Sequence, residues 1–353
     1  MIAGLPLLSS CMKYGPSEVE VFSPEGSSGG LFVVNEGNFM YGNASLSYYN
    51  PHQAGPEKNV VENDVFARAN GISLGDVAQS MTVHNGVGYV VVNNSGVIFA
   101  IDPGTFQVKG LITGLVSPRY MHFVSDTKAY VTDLYASQLT VVNPQTYTIT
   151  GTIPTPGHRS TEKMVACGDT LFVSCWSYDR TVLVIDTKTN ALIDSITVGI
   201  QPASMALDAY NRLWVLSDGG MEGSPYGYTL PVLQCIDPTT NRLVWEATFP
   251  EAGSPSELCV NGTRDTLYFI NKAIWRMDVR QRALPEQPFL PYQGTLYYGL
   301  AVDPVSSDVY VADAIDYVQS GIVFRYNAAG DLVAQFKTGI IPGAFCFTKE
   351  ATQ

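Results

Sequence analysis

Residues 128–156 read KAYVTDLYASQLTVVNPQTYTITGTIPTP, three short β-rich runs separated by polar turns. AYVTDL carries aromatic and β-branched residues, LTVVN alternates, Asn143-Pro144-Gln145-Thr146 reverses the chain, and YTITGTI alternates again. Alternation of this kind marks half-buried antiparallel strands, so the stretch predicts a meander.

The same pattern returns along most of the chain. The turn after the third strand recurs as Asn50, Asp102, Asn143, Asp186, Asp237, Asp278 and Asn327, at spacings of 41 to 52 residues. The second strand recurs in step, as LFVVN (31–35), YVVVN (89–93), YVTDL (130–134), LFVSC (171–175), LWVLS (213–217), LYFIN (267–271) and VYVAD (309–313). A third column precedes these runs: Met81, Met121, Met164, Met205, Leu258, Leu300 and Phe345, each mostly followed by a small residue.

Repeats of this length with four strands each predict an all-β fold, a seven-bladed β-propeller with four antiparallel strands per blade. The first unit begins at its second strand, and residues 343–348 form an inner strand with no partner after it. The C-terminal strand is therefore expected to close the first blade, which removes the sheet edge at the seam. An open β-solenoid is the alternative.

Hydrophobic residues make up 46% of the chain, with 32 Gly and 21 Pro. That is the composition of a turn-rich β domain long enough to bury its own core. A net charge of −12 without a Lys/Arg run argues against a nucleic-acid partner. Residues 1–11 read as a signal-peptide remnant ending in a lipobox-like Leu8-Ser9-Ser10-Cys11, and residues 12–30 as a flexible tether leading to one propeller over 31–349. Lipidation is expected at Cys11, since several acyl chains together give stable anchoring. The other five cysteines read as core thiols, and neither they nor the four histidines show metal-ligand spacing, so no metal and no cofactor is expected.

Binding residues are expected on the face where second-to-third-strand loops and blade crossings open together, because insertions concentrate there: 36–44, 66–79, 218–229 and 314–321. These segments and their neighbours hold aromatic, amide and charged side chains, Lys163 and Lys272 among them. The candidate ligand-binding set is Asn35, Glu36, Asn93, Asn94, Arg119, Tyr120, Asp133, Tyr135, Trp176, Tyr178, Asp218, Tyr226, Tyr298 and Tyr317. Rigid aromatics give contact area at low entropy cost, and amides supply donors and acceptors. A large, flat ligand bearing amides or hydroxyls suits that mixture.

LTVVNPQTYTITGTIPT, its counterpart VLVIDTKTNALIDSITVG (182–199) and the lipobox-like LSSC resemble YncE-like propellers of the bacterial surface-layer type. Among these the chain is most similar to surface lipoproteins of Bacteroidetes that capture cobalamin above a TonB-dependent transporter. The resemblance covers residues 31–349. It implies a lipid-anchored, surface-exposed outer-membrane protein that is not an enzyme, binds cobalamin or a related corrinoid, and is monomeric apart from the transporter. Two other functions fit the residues. One is a surface-layer propeller binding a protein or glycan. The other is a metal-dependent lactonase, with Glu36, Asn93 or Asn94, Asn271 and Asp313 around an axial divalent cation.

Overall fold

The computed structural model describes residues 29–51 and 61–348. Among the described residues there are seven antiparallel sheets, six of four strands and one of three. In blade three the inner strand Pro118–Ser125 pairs with Lys128–Asp133, then Gln138–Asn143, then Thr148–Pro154, which is the meander read from that stretch. Blade six has Ser256–Val260, Thr266–Asn271 and Ala273–Asp278; at its outer edge Leu290 makes an isolated bridge to Ile274.

Blade one is built from both ends of the chain. Pro342–Phe347 pairs with Leu31–Asn35, placing Leu31 opposite Phe347 and Val33 opposite Phe345. The backbone N–H of Thr348 extends the ladder to the Gly30 carbonyl at 2.9 Å.

Seven apolar clusters fill the seven seams between neighbouring blades. Alternation within the second strands distributes their side chains. In Val87–Val92, Tyr89 and Val91 pack toward blade three while Val90 and Val92 pack toward blade one. Such strands are buried on both faces, which is why they read as nearly unbroken hydrophobic runs. The last seam joins Leu31, Val33 and Tyr49 to Tyr310, Ala312 and Phe336, with Tyr49 stacked on Phe336 at 4.3 Å, so the ring is closed.

A six-residue helix, Val65–Asn70, interrupts the crossing from blade one to blade two and buries Val65 and Phe66. Asn70 fixes its end by donating to the Phe66 and Phe106 carbonyls and accepting from the Val108 N–H. No helix among the described residues is long and apolar enough to cross a membrane. Cys167, Cys175, Cys235 and Cys259 are free thiols. Cys11, the expected lipidation site, lies outside the described residues.

Candidate functional site

Each inner strand breaks register near its start: at Ala78/Ser80, Pro118/Met121, Thr161/Met164, Pro202/Ser204, Ser256/Cys259 and Tyr297/Gly299, and in blade one where Asn35 pairs with Pro342 and Val34 with Ala344. A bulge leaves residues unpaired and re-aims their side chains. Repeated around the ring, it frees Gln79, Arg119, Tyr120, Glu162, Lys163, Glu257 and Tyr298, just upstream of the Met/Leu/Phe column.

These side chains meet at the axis. Arg119 grips Glu162 with two hydrogen bonds, Nε to Oε2 at 2.7 Å and Nη2 to Oε1 at 2.6 Å, and its Nη1 donates to Gln79 Oε1. Bidentate charge-assisted pairs of this kind are the strong ones. Lys163 Nζ lies 4.3 Å above the Tyr120 ring and 3.5 Å from Glu257 Oε2. That last contact joins blade four to blade six in front of blade five, so it reaches into the space that the inner strands enclose. The Tyr298 hydroxyl donates to Glu36 Oε2 at 3.1 Å. From Tyr120 and Lys163 a cavity continues along the inner strands of blades two, three and four, lined also by Thr82, His84, His122 and Met164. Burial lowers the pKa of His122.

The well holds three carboxylates, Glu36, Glu162 and Glu257, and two cations, Arg119 and Lys163. Burial pushes the Glu36 carboxyl up to about 7; Arg119 and the Tyr298 hydroxyl oppose the shift, and Glu257 and Glu162 add to it. Lys163 behaves oppositely. Burial works against its charge, but Glu257 and Tyr120 outweigh that and hold the ammonium above its ordinary range.

A crown of loops surrounds the well. Of the eight exposed tyrosines among the described residues, Tyr41, Tyr135, Tyr178, Tyr226, Tyr228, Tyr292 and Tyr317 stand on this face, and only Tyr210 on the other. Phe39, Met40 and Met221 join them. Tyr178 and Tyr226 lie 4.4 Å apart, ring to ring, and Tyr317 meets Tyr298 edge-on at 5.7 Å. Polar groups brace the loops. Asp76 accepts from the Met40 N–H and from Asn94 Nδ2, and the Trp176 indole donates to Asp218 at 3.3 Å. Burial raises the pKa of Asp218, against the Gly220 N–H and the Trp176 indole. Met40, Tyr178 and Tyr317 have φ of 69°, 63° and 63°, backbone states that bulky residues adopt only when their surroundings impose them.

Of the residues singled out from sequence, Glu36, Arg119, Tyr120 and Tyr298 meet in the well. Tyr135, Tyr178, Tyr226 and Tyr317 stand on the rim, where Trp176, Asp218 and Asn94 support the loops. Asn35, Asn93 and Asp133 are hydrogen-bonded within the fold. Asn35 is fully buried and donates to Ser45 and Ser47; Asn93 donates to Ser117 Oγ and the Pro118 carbonyl; Asp133 accepts from the backbone N–H of Ser117, Tyr135 and Ala136. Asp313 likewise accepts from the Thr295, Leu296 and Ile315 amides. Polar residues at the ends of second strands thus clamp loops and blade crossings, among them the Asn93 amide nitrogen and both oxygens of the Asp313 carboxylate, two groups of the lactonase constellation. Gln79, Glu162 and Glu257 were missing from the candidate set.

Solved structures similar to this fold include hydrazine synthase of Kuenenia stuttgartiensis, with a TM-score of 0.60 at 16% identity over 76% of this chain and 89% of that one. A quinonprotein alcohol dehydrogenase-like protein of Bacteroides thetaiotaomicron VPI-5482 gives a TM-score of 0.69 at 13% identity over 91% of this chain and 78% of that one. A functionally unknown protein from Desulfotomaculum acetoxidans DSM 771 gives 0.67 at 12% identity over 90% and 98%. At such identities the likeness is one of fold. No curated protein matches the sequence. Residues 29–341 match the model of a domain of unknown function, and the chain belongs to that family, DUF5074.

Proposed function

We propose that this propeller is a non-enzymatic binding protein whose loop face captures cobalamin or a related corrinoid, held at the outer-membrane surface by acylated Cys11 and handing its ligand to a TonB-dependent transporter. The observation that carries the reading is the one-sided crown of exposed aromatics above a polar axial well. A corrin ring is broad, apolar on its faces and fringed with carboxamides, so it needs wide contact from several loops and hydrogen-bond partners once desolvated. Tyr178, Tyr226, Tyr135 and Tyr317 supply apolar cover from four blades, and Glu36, Arg119 and Gln79 supply donors and acceptors. The resemblance of the repeat and the lipobox-like LSSC to cobalamin-capturing lipoproteins supports the same ligand.

Calorimetry on the purified protein with cyanocobalamin, a sugar panel and Ca²⁺ tests the proposal. Saturable one-to-one binding of cyanocobalamin, little altered by salt, is the expected result. Absence of binding at micromolar concentration overturns it, and hydrolysis of a lactone after Ca²⁺ addition would move the assignment to an enzyme.

A further inference from the structure

Between blades three and four, at the foot of the aromatic crown, the fold assembles three side chains of a kind that the axial well lacks. His158 lies on the crossing between the blades, its main chain fixed by bonds in both directions with Thr155. Asp179 lies in the loop after Thr170–Cys175, where its Oδ1 accepts from the Arg180 N–H at 2.6 Å and its carbonyl from the Gln201 N–H at 2.8 Å. Cys175 ends that strand and packs with Tyr130, Leu139 and Leu183 in the apolar seam. His158 Nδ1 is 2.8 Å from Asp179 Oδ2, and one donor atom from each of the three residues lies within 4.8 Å of the others.

We propose that His158, Cys175 and Asp179 form a binding site for a borderline-soft divalent cation of the zinc class. The donor set decides the class. Imidazole nitrogen, thiolate sulfur and one carboxylate oxygen suit tetrahedral Zn²⁺ or Co²⁺, whereas Ca²⁺ and Mg²⁺ take oxygen ligands. Three protein ligands leave one position for water or an incoming group. Access is from the loop side. The His158 and Asp179 side chains keep 25% and 16% of their exposure, while Cys175 is fully buried. The Arg180 N–H occupies the other Asp179 oxygen and so aims Oδ2 inward, the kind of support that metal-ligating carboxylates have. Binding replaces the Cys175 thiol proton, which leaves to solvent as the sulfur–metal bond forms. It would also stiffen residues 176–180, and with them Trp176 and Tyr178.

Titration of the full chain with Co²⁺, a spectroscopic stand-in for Zn²⁺, provides the test. One equivalent is expected to give a thiolate-to-cobalt charge-transfer band with tetrahedral visible absorption, displaced by Zn²⁺ and accompanied by a change in tryptophan fluorescence. Cys175→Ser should abolish the charge-transfer band, and His158→Asn should weaken binding on the order of tenfold or more. Cys11→Ser and Cys235→Ser should leave both signals intact. His158 is a partly exposed loop residue, so its variant carries the test if Cys175→Ser fails to fold. Saturating Co²⁺ without a charge-transfer band, a band that survives unchanged in folded Cys175→Ser, or affinity unchanged in His158→Asn overturns the proposal.

Discussion

The carboxylate of Glu36 occupies the space that a side chain on Gly343 would need: a Cβ built at Gly343 comes to 2.6 Å from Glu36 Oε1. In blades two, three, four and seven the equivalent bulge position carries Gln79, Arg119, Glu162 and Tyr298. Blade one leaves it empty of side chain and fills it from the adjoining loop.

Glu36 therefore sits in the well with a folded-state pKa raised from 4.5 to about 7. Between these values the folded state binds more protons than the unfolded state, so this carboxyl's contribution to stability falls as pH rises through the window. Glu36→Gln removes the effect. Relative to the unaltered protein, the variant should gain on the order of 3 kcal/mol between pH 4.5 and 8. Urea denaturation of both proteins across that range provides the measurement, and a constant difference would show that Glu36 is not desolvated as described.

Arg119 and Glu162 are both largely shielded, so removing one partner strands the other. Glu162→Met alone should cost about 3–5 kcal/mol, and Arg119→Met with Glu162→Met should recover much of it. A double-mutant cycle by thermal or urea unfolding reads the coupling; additive losses would mean that the pair is solvated.

The contact between Tyr178 and Tyr226 predicts coupled losses of ligand. Either change to Ala, like Trp176→Ala, should weaken cyanocobalamin binding by about 2 kcal/mol, and the double tyrosine change by less than the sum. Tyr147, which packs over Gly110 on the opposite face, should give no change in affinity when altered. Calorimetry on the four single variants decides this, and equal losses at Tyr147 and Tyr178 would sink the placement of the ligand on the crown.

The pairing of Pro342–Phe347 with Leu31–Asn35 predicts that ending the chain at residue 341 leaves a long apolar strand edge exposed. Loss of a cooperative melt, with self-association in size-exclusion chromatography, is the expected outcome. A monomeric truncation that melts like the full chain would show the closing strand to be dispensable.

The blades were legible because their turns are chemical. Asp102, Asn143, Asp186 and Asp237 each accept, through a side-chain oxygen, the backbone N–H two residues on, at 2.7–2.9 Å. A turn with that requirement repeats its residue type, and the repeat gave the blade count. The well was half legible. Arg119 and Glu36 stand out as charges near strand ends, but Arg119, Glu162 and Glu257 all reach the well through bulges, and no residue pattern marks a register shift. Asn35, Asn93 and Asp133 show the converse: a polar residue at a strand end can serve the fold itself, as these do in bonding Ser45, Ser47, Ser117 and the Pro118 carbonyl, as readily as a ligand. His158 and Asp179, 21 residues apart, meet only because a blade crossing returns the chain beside the loop it will form next.

Because blade one borrows its innermost strand from the far end of the chain, the ring has an order in time. Six blades can pair their strands as they are synthesised, but Leu31–Asn35, paired on one edge with Ser45–Tyr49, must wait for its other partner until residues 342–347 exist. Until then the first blade keeps an unpaired strand edge of the kind that invites aggregation. Residues 342–347, made after every other strand of the ring, are the ones that turn a row of sheets into a closed ring.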